Sequence, residues 1–212
     1  RMEMHRRDRR DIWYDSSTGK EPLTWLKDTF EAVNNGLHPE FTLPKRIEVV
    51  VPKPLIDADD LAVRLIDTKG IDTTAARADL ESLLDDPHTM TILCCGFNDA
   101  PGTDARLLLQ RAREAGVRAL DIQAAVLALP RPSEALAVTD ESGVRVDSAE
   151  EGYTLKEEQV AMSLQPFRLE NLAIGFFNAY QDDPQRLRSF LKERLERMRK
   201  TFRARMHEVS SN

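Results

Sequence analysis

The residues best suited to chemistry lie between Lys45 and Asp72, in KRIEVVVPKPLIDADDLAVRLIDTKGID. Two apolar runs, Ile47 to Val51 and Leu61 to Ile66, flank a turn segment that holds two prolines and three aspartates. The second run ends on Asp67, with Lys69 and Gly70 just after it. That pattern predicts strand, turn, strand and a charged tip. A carboxylate at the end of a buried strand, closely followed by glycine, can meet a metal or a phosphate at the carboxyl edge of a sheet. The same tip has a second chemical reading: Asp57 and Asp67 hold a divalent metal while Lys69 supports an attacking water. A third leaves it as a structural turn.

Other candidates are thinner. Asn98 and Asp99 follow the apolar run Thr89 to Phe97, and their polar groups either line a ligand cleft or form a helix N-cap turn through Asp99 or Thr103. Asn178 ends the run LAIGFFNA. His5, His38, His88 and His207 are scattered without paired ligand spacing, which argues against zinc, and no nucleophile elbow supports Ser-His-Asp catalysis. Cys94 and Cys95 are adjacent within an apolar run, so a mutual disulfide would be strained and they read as reduced thiols. Gly19-Lys20 does not complete a phosphate-binding loop, because Tyr14 replaces the first glycine and Glu21 replaces the Ser or Thr.

The elements that would position these residues follow from periodicity. A helix is predicted over 22–34, with Leu23, Leu26, Phe30 and Val33 on one face and Asn34-Asn35-Gly36 closing it. A second is predicted from Asp72 or Thr73 to Asp86, with Leu80, Leu83 and Leu84 apolar. The run 89–97 is a strand of the kind buried on both faces of a parallel sheet. A helix over 104–116, a strand over 124–130, a small hairpin around Ser142-Gly143, a helix over 155–165 and a strand over 172–179 follow. A long amphipathic helix from about 184 to 209 ends the series, with Leu187, Phe190 or Leu191, Leu195, Met198, Phe202 and Met206 at spacings of three and four. The fold class expected is α/β: a largely parallel sheet with helices on both faces and an antiparallel edge hairpin at Ile47 to Ile66. The expected division is a basic segment at 1–20, an α/β domain at 21–183 and the basic helix at 184–212.

Composition fits that picture. The 212 residues are 41% hydrophobic and 31% charged, and no apolar run approaches the ~18 residues of a membrane span. No secretory signal pattern is visible, so a cytoplasmic setting is the expectation. The net charge of -6 argues against a globally basic nucleic-acid binder, although five arginines fall in the first ten residues and nine Lys or Arg between Arg186 and Arg205. The sequence starts on Arg1 and not Met, which reads as a piece of a longer chain.

The succession from Thr42 to Leu191, with LIDTKGID at its centre, resembles the second part of a P-loop NTPase domain, nearest in layout to dynamin-like GTPases. The resemblance implies nucleotide binding and hydrolysis, a nucleotide partner, and Mg2+ with GTP or ATP as cofactor. In that family the Asp of Asp-x-x-Gly contacts magnesium through water and the Gly amide meets the γ-phosphate, roles that fall on Asp67 and Gly70. Lys69 stands where the family has proline. Thr42 falls where the family places the threonine that closes over the metal, and Asn98, Asp99 and Asn178 fall on loops that would face the nucleotide. The phosphate-binding loop is not in the sequence and would have to lie upstream. The guanine-reading [NT]KxD is replaced by Arg131-Pro132-Ser133-Glu134. LIDTKG is also similar to the DxK strand of RecB-like nucleases, with Asp57, Asp67 and Lys69 as the set. A non-catalytic interaction module is the third reading. The terminal helix would then bind a protein partner, a second copy, nucleic acid or an anionic membrane.

Overall fold

The computed structural model describes residues 7–45, 47–50, 56, 63–68, 78–117, 119–140 and 142–210. It divides into two compact units, Arg1–Pro54 and Leu55–Asn212.

In the first unit, Asp15 caps a short 3-10 turn at Ser16–Thr18 by accepting from the Ser17 amide at 2.8 Å. Helix α1, Pro22–Asn34, starts on a proline whose missing N–H costs nothing in a first turn. Val33 is its buried residue, Leu26 and Phe30 are half-buried, and Leu23, expected on the same face, is 80% exposed. Arg9 ties the extended segments together, with its backbone N–H donating to the Glu40 carbonyl and its guanidinium donating to the Glu40 carboxylate at 2.6 Å.

The second unit is α/β, built on a three-stranded parallel sheet in the order β1-β2-β3. The strands are β1 (Thr91–Gly96), β2 (Ala124–Leu129) and β3 (Ala173–Phe176). Helices α2 (Ala78–Asp85), α3 (Thr103–Glu114), α4 (Leu120–Gln123), α5 (Ala149–Leu164) and α6 (Pro184–Ser210) surround it. The register sets Leu93 beside Val126 and Val126 beside Ile174, so these three share one face. On that face they join Leu80 and Leu84 of α2, Leu108 and Leu109 of α3, and Val160 and Leu164 of α5 in one core. Both crossover connections therefore run on the same side, as an unreversed strand order requires. The opposite face carries Cys94, Leu127 and Gly175, which are partners in register. There α6 lies down, with the Phe190 ring directly over Gly175. Helices on both faces and a long terminal helix are thus observed.

Several elements differ from expectation. Residues 47–50 and 63–68, the described parts of the two runs expected to pair as an edge hairpin, form no strand. Val50, Leu65 and Ile66 are exposed at 81%, 59% and 52%, and an apolar run that buries neither face has nothing to hold it in register. Helix α5 begins at Ala149, six residues before the expected start, because Ser148 caps it and accepts from the Glu151 amide at 3.2 Å. Neither Asp99 nor Thr103 caps α3; Gly102 is its N-cap, at φ 83°. The predicted hairpin around Ser142-Gly143 is present as a single antiparallel bridge between Thr139 and Arg145. Asp140 closes its turn by accepting from the Ser142 and Val144 amides, each at 2.9 Å.

Candidate functional site at the carboxyl edge of the sheet

Three parallel strands deliver their following loops to one edge, and the side chains there come from separate parts of the sequence. After β1, Asn98 and Asp99 are exposed. After β2 comes Pro130 to Glu134, in which Ser133 has φ 70°, a left-handed conformation uncommon for a residue with a Cβ. Glu134 fastens the two loops together: one carboxylate oxygen accepts from Asn98 Nδ2 at 3.0 Å and the other from the Arg131 amide at 2.8 Å. From α5, Lys156 Nζ donates to the Asn98 carbonyl at 2.8 Å and stands 5.6 Å from the Phe97 ring centre. Burial lowers the Lys156 pKa, opposed by the negative charge of Asp99. The edge therefore presents an amide, two carboxylates and an ammonium.

A layer of rings adjoins this assembly. Phe97, Tyr153 and Phe176 are buried and pack on Ala128 and Ala135. Tyr153 stacks on Phe176 at 4.9 Å, and Phe97 meets both edge-on. Gly152 lets α5 approach this closely, since a Cβ there would sit 2.0 Å from the Ala135 carbonyl oxygen. Arg186, the second residue after Pro184 in α6, lies over the Tyr153 ring and donates to Glu150 at 2.9 Å.

The expected site residues separate into groups. Asn98 and Asp99 stand at the edge as anticipated. Asn178 follows β3 but is only 3% exposed, and its polar atoms are used within its own loop. Its Nδ2 donates to Gln181, its Oδ1 accepts from the Tyr180 amide, and its backbone N–H donates to Asp182. Asp67 is exposed on a segment without strand structure, not at a strand's end. It nevertheless lies close enough to Cys94 of β1 for its charge to add to the burial that raises that thiol's pKa. Thr42 is exposed in the first unit. Lys69, Gly70 and Asp57 lie outside the described residues. Among the described residues no group of three or more His, Cys, Asp or Glu could hold a metal ion.

Two residues of the edge escaped the sequence reading. The helix expected over 155–165 puts Lys156 in its first turn, where no inward face is yet defined. With the helix starting at Ala149, Lys156 lies three and four positions from Tyr153 and Gly152 and four before Val160, on the inward face. Glu134 had no local signal, because its partner Asn98 is 36 residues away. No family model, no curated protein and no solved structure matches the chain. No helix among the described residues is long and apolar enough to cross a membrane.

Proposed function

We propose that the chain supplies the switch and edge-loop part of a nucleoside-triphosphate-binding α/β domain that hydrolyses its ligand. The observation that carries this reading is the meeting of Asn98, Asp99, Glu134 and Lys156 at the carboxyl edge of a parallel sheet, the edge where ligands of such sheets bind. Asp67, the acid of the Asp-x-x-Gly tip, is near enough to Cys94 of β1 for its charge to act on that thiol. In this reading a water oxygen bonds to the γ-phosphorus while the bond to the β,γ-bridging oxygen breaks, giving the diphosphate and inorganic phosphate. The chain's residues act by position and charge: Lys156 favours the ligand's negative charge, and Asn98 with Glu134 keeps the two loops at a fixed separation. The 212 residues contain no GxxxxGK[ST] match, so a phosphate cradle has to come from polypeptide outside them.

Magnesium fits only as an ion that arrives with the triphosphate. Among the described residues no three-ligand group is present to cage it. An ion held by phosphate oxygens and waters needs one carboxylate, and Asp67 is exposed and able to serve. Bound there, the ion would neutralise charge on the phosphates. Thr42 is proposed only by its place in sequence. The nuclease reading gains no support, as two of its three groups, Asp57 and Lys69, lie outside the described residues.

The test is phosphate release from GTP and from ATP by the full gene product with Mg2+. Asp67→Ala is expected to lower turnover at least ~100-fold, and Lys156→Ala to weaken nucleotide binding about tenfold. Binding of neither nucleotide, or unchanged turnover in Asp67→Ala, would overturn the proposal.

A further inference from the structure

Charge in the second unit is divided between two helices that lie on opposite faces of the sheet. Helix α6 carries nine Lys or Arg against three Glu, in a chain whose net charge is -6. Its first four turns are anchored, with Leu187, Phe190, Leu191, Leu195 and Met198 half-buried, but every residue from Arg203 to Val209 is exposed. The apolar series Leu187, Leu191, Leu195, Met198, Phe202, Met206, Val209 keeps spacings of four, four and three throughout. An eleven-residue repeat holds a stripe on one side of a nearly straight helix. The face that packs on the sheet therefore continues into the exposed turns, where Val209 is 79% exposed. Arg197, Lys200, Arg203 and Arg205 are exposed around it.

Helix α5 shows the complementary surface. Its outward positions run Glu150, Glu151, Thr154, Glu157, Glu158 and Met162, all exposed and spaced as one helical face. Met162, at 61% exposure, gives that acidic face an apolar centre. Within one molecule Arg186, in the first turn of α6, meets Glu150 and the Tyr153 ring of α5. Beyond that point the sheet stands between them, since α5 packs on the Val126 face and Phe190 of α6 on the Gly175 face.

From this division we infer that the basic end of α6 docks on the acidic outer face of α5 in a second copy of the chain. The contact is heterologous, with unlike surfaces meeting, so copies add head to tail into rings or open chains. A parallel or antiparallel pairing of two α6 ends is disfavoured, because it would bring two basic segments together. Exposed charge pairs of this kind steer and align partners and are screened by salt. The inference stands independently of nucleotide binding.

Sedimentation of the full chain at low and high salt tests it. Association is expected at low salt and monomer at high salt. Arg203→Glu with Arg205→Glu, and separately Glu157→Lys with Glu158→Lys, should each leave folded monomer by circular dichroism. Mixing these two variants restores both charge pairings and is expected to restore association. A wild-type monomer at low salt overturns the inference, as does a mixture that stays dissociated. If in addition the wild-type chain binds anionic vesicles or DNA and the arginine variant does not, the basic end belongs to that partner instead.

Discussion

Gly152 illustrates how one residue can fix the edge of the sheet. Alanine is usually favoured over glycine inside a helix by about 1 kcal/mol, but here the added Cβ would meet the Ala135 carbonyl oxygen at 2.0 Å. The backbone on both sides is held by the ring layer, so α5 would have to lift away from Phe97 and Phe176. Gly152→Ala is therefore expected to destabilise by about 2–3 kcal/mol in a urea titration and to disturb Lys156 with it. Cys95 offers a second check at this scale. Burial first, then the neighbouring Cys94, raises its pKa from 9.0 to about 11. The unfolded chain releases this proton near pH 9 and the folded chain holds it until about pH 11, so the contribution is intact below pH 9 and declines between the two values. The urea midpoint of the wild type should fall across that window more steeply than that of Cys95→Ala. Equal slopes would show that the thiol is not held in its neutral form.

Among the elements, α6 depends on a glycine in the strand beneath it. A Cβ at Gly175 would come within 2.7–2.9 Å of three atoms of the Phe190 ring. A ring can swing where a backbone cannot, so Gly175→Ala is expected to cost less than Gly152→Ala, about 1–2 kcal/mol in the same titration. Phe190→Ala in that background should recover part of the loss, and strict additivity would mean that the two do not touch. Helix α5 makes the contrasting case of an element set by its cap. Ser148→Ala removes the acceptor for the Glu151 amide and should cost about 1 kcal/mol. The sequence places the start at Leu155 because Ala149 to Tyr153, AEEGY, holds a glycine at its fourth position and has little apolar periodicity. The packing that accepts the glycine, on Ala135, is not visible locally.

The second unit as a whole rests on one continuous core across the sheet, from Leu84 through Val126 to Leu164, each with essentially no exposure. Leu164→Ala is expected to cost about 2–5 kcal/mol, because Leu164 is fully buried in the core that α2, α3, α5 and the sheet share. Such a core holds the carboxyl ends of the strands in place without including the polar groups of the loops that follow them.

The sequence alone determined what its local periods could carry: β1, β2 and β3 as apolar runs, α1 at Pro22–Asn34, α3 before Gly116, and the length of α6. It also marked Asn98 and Asp99, since residues that follow a buried strand reach the sheet's edge whatever they pack against. Tertiary structure decided the rest. The runs at 47–50 and 63–68 have strand composition, yet composition cannot supply the neighbour that would bury them, and their described residues stay outside the sheet. Glu134 with Asn98, and Lys156 with Asn98, meet only because parallel strands end together after long crossovers. Contacts over 36 and 58 residues leave no trace in a local pattern, for the energy that selects them lies in the packing of the sheet.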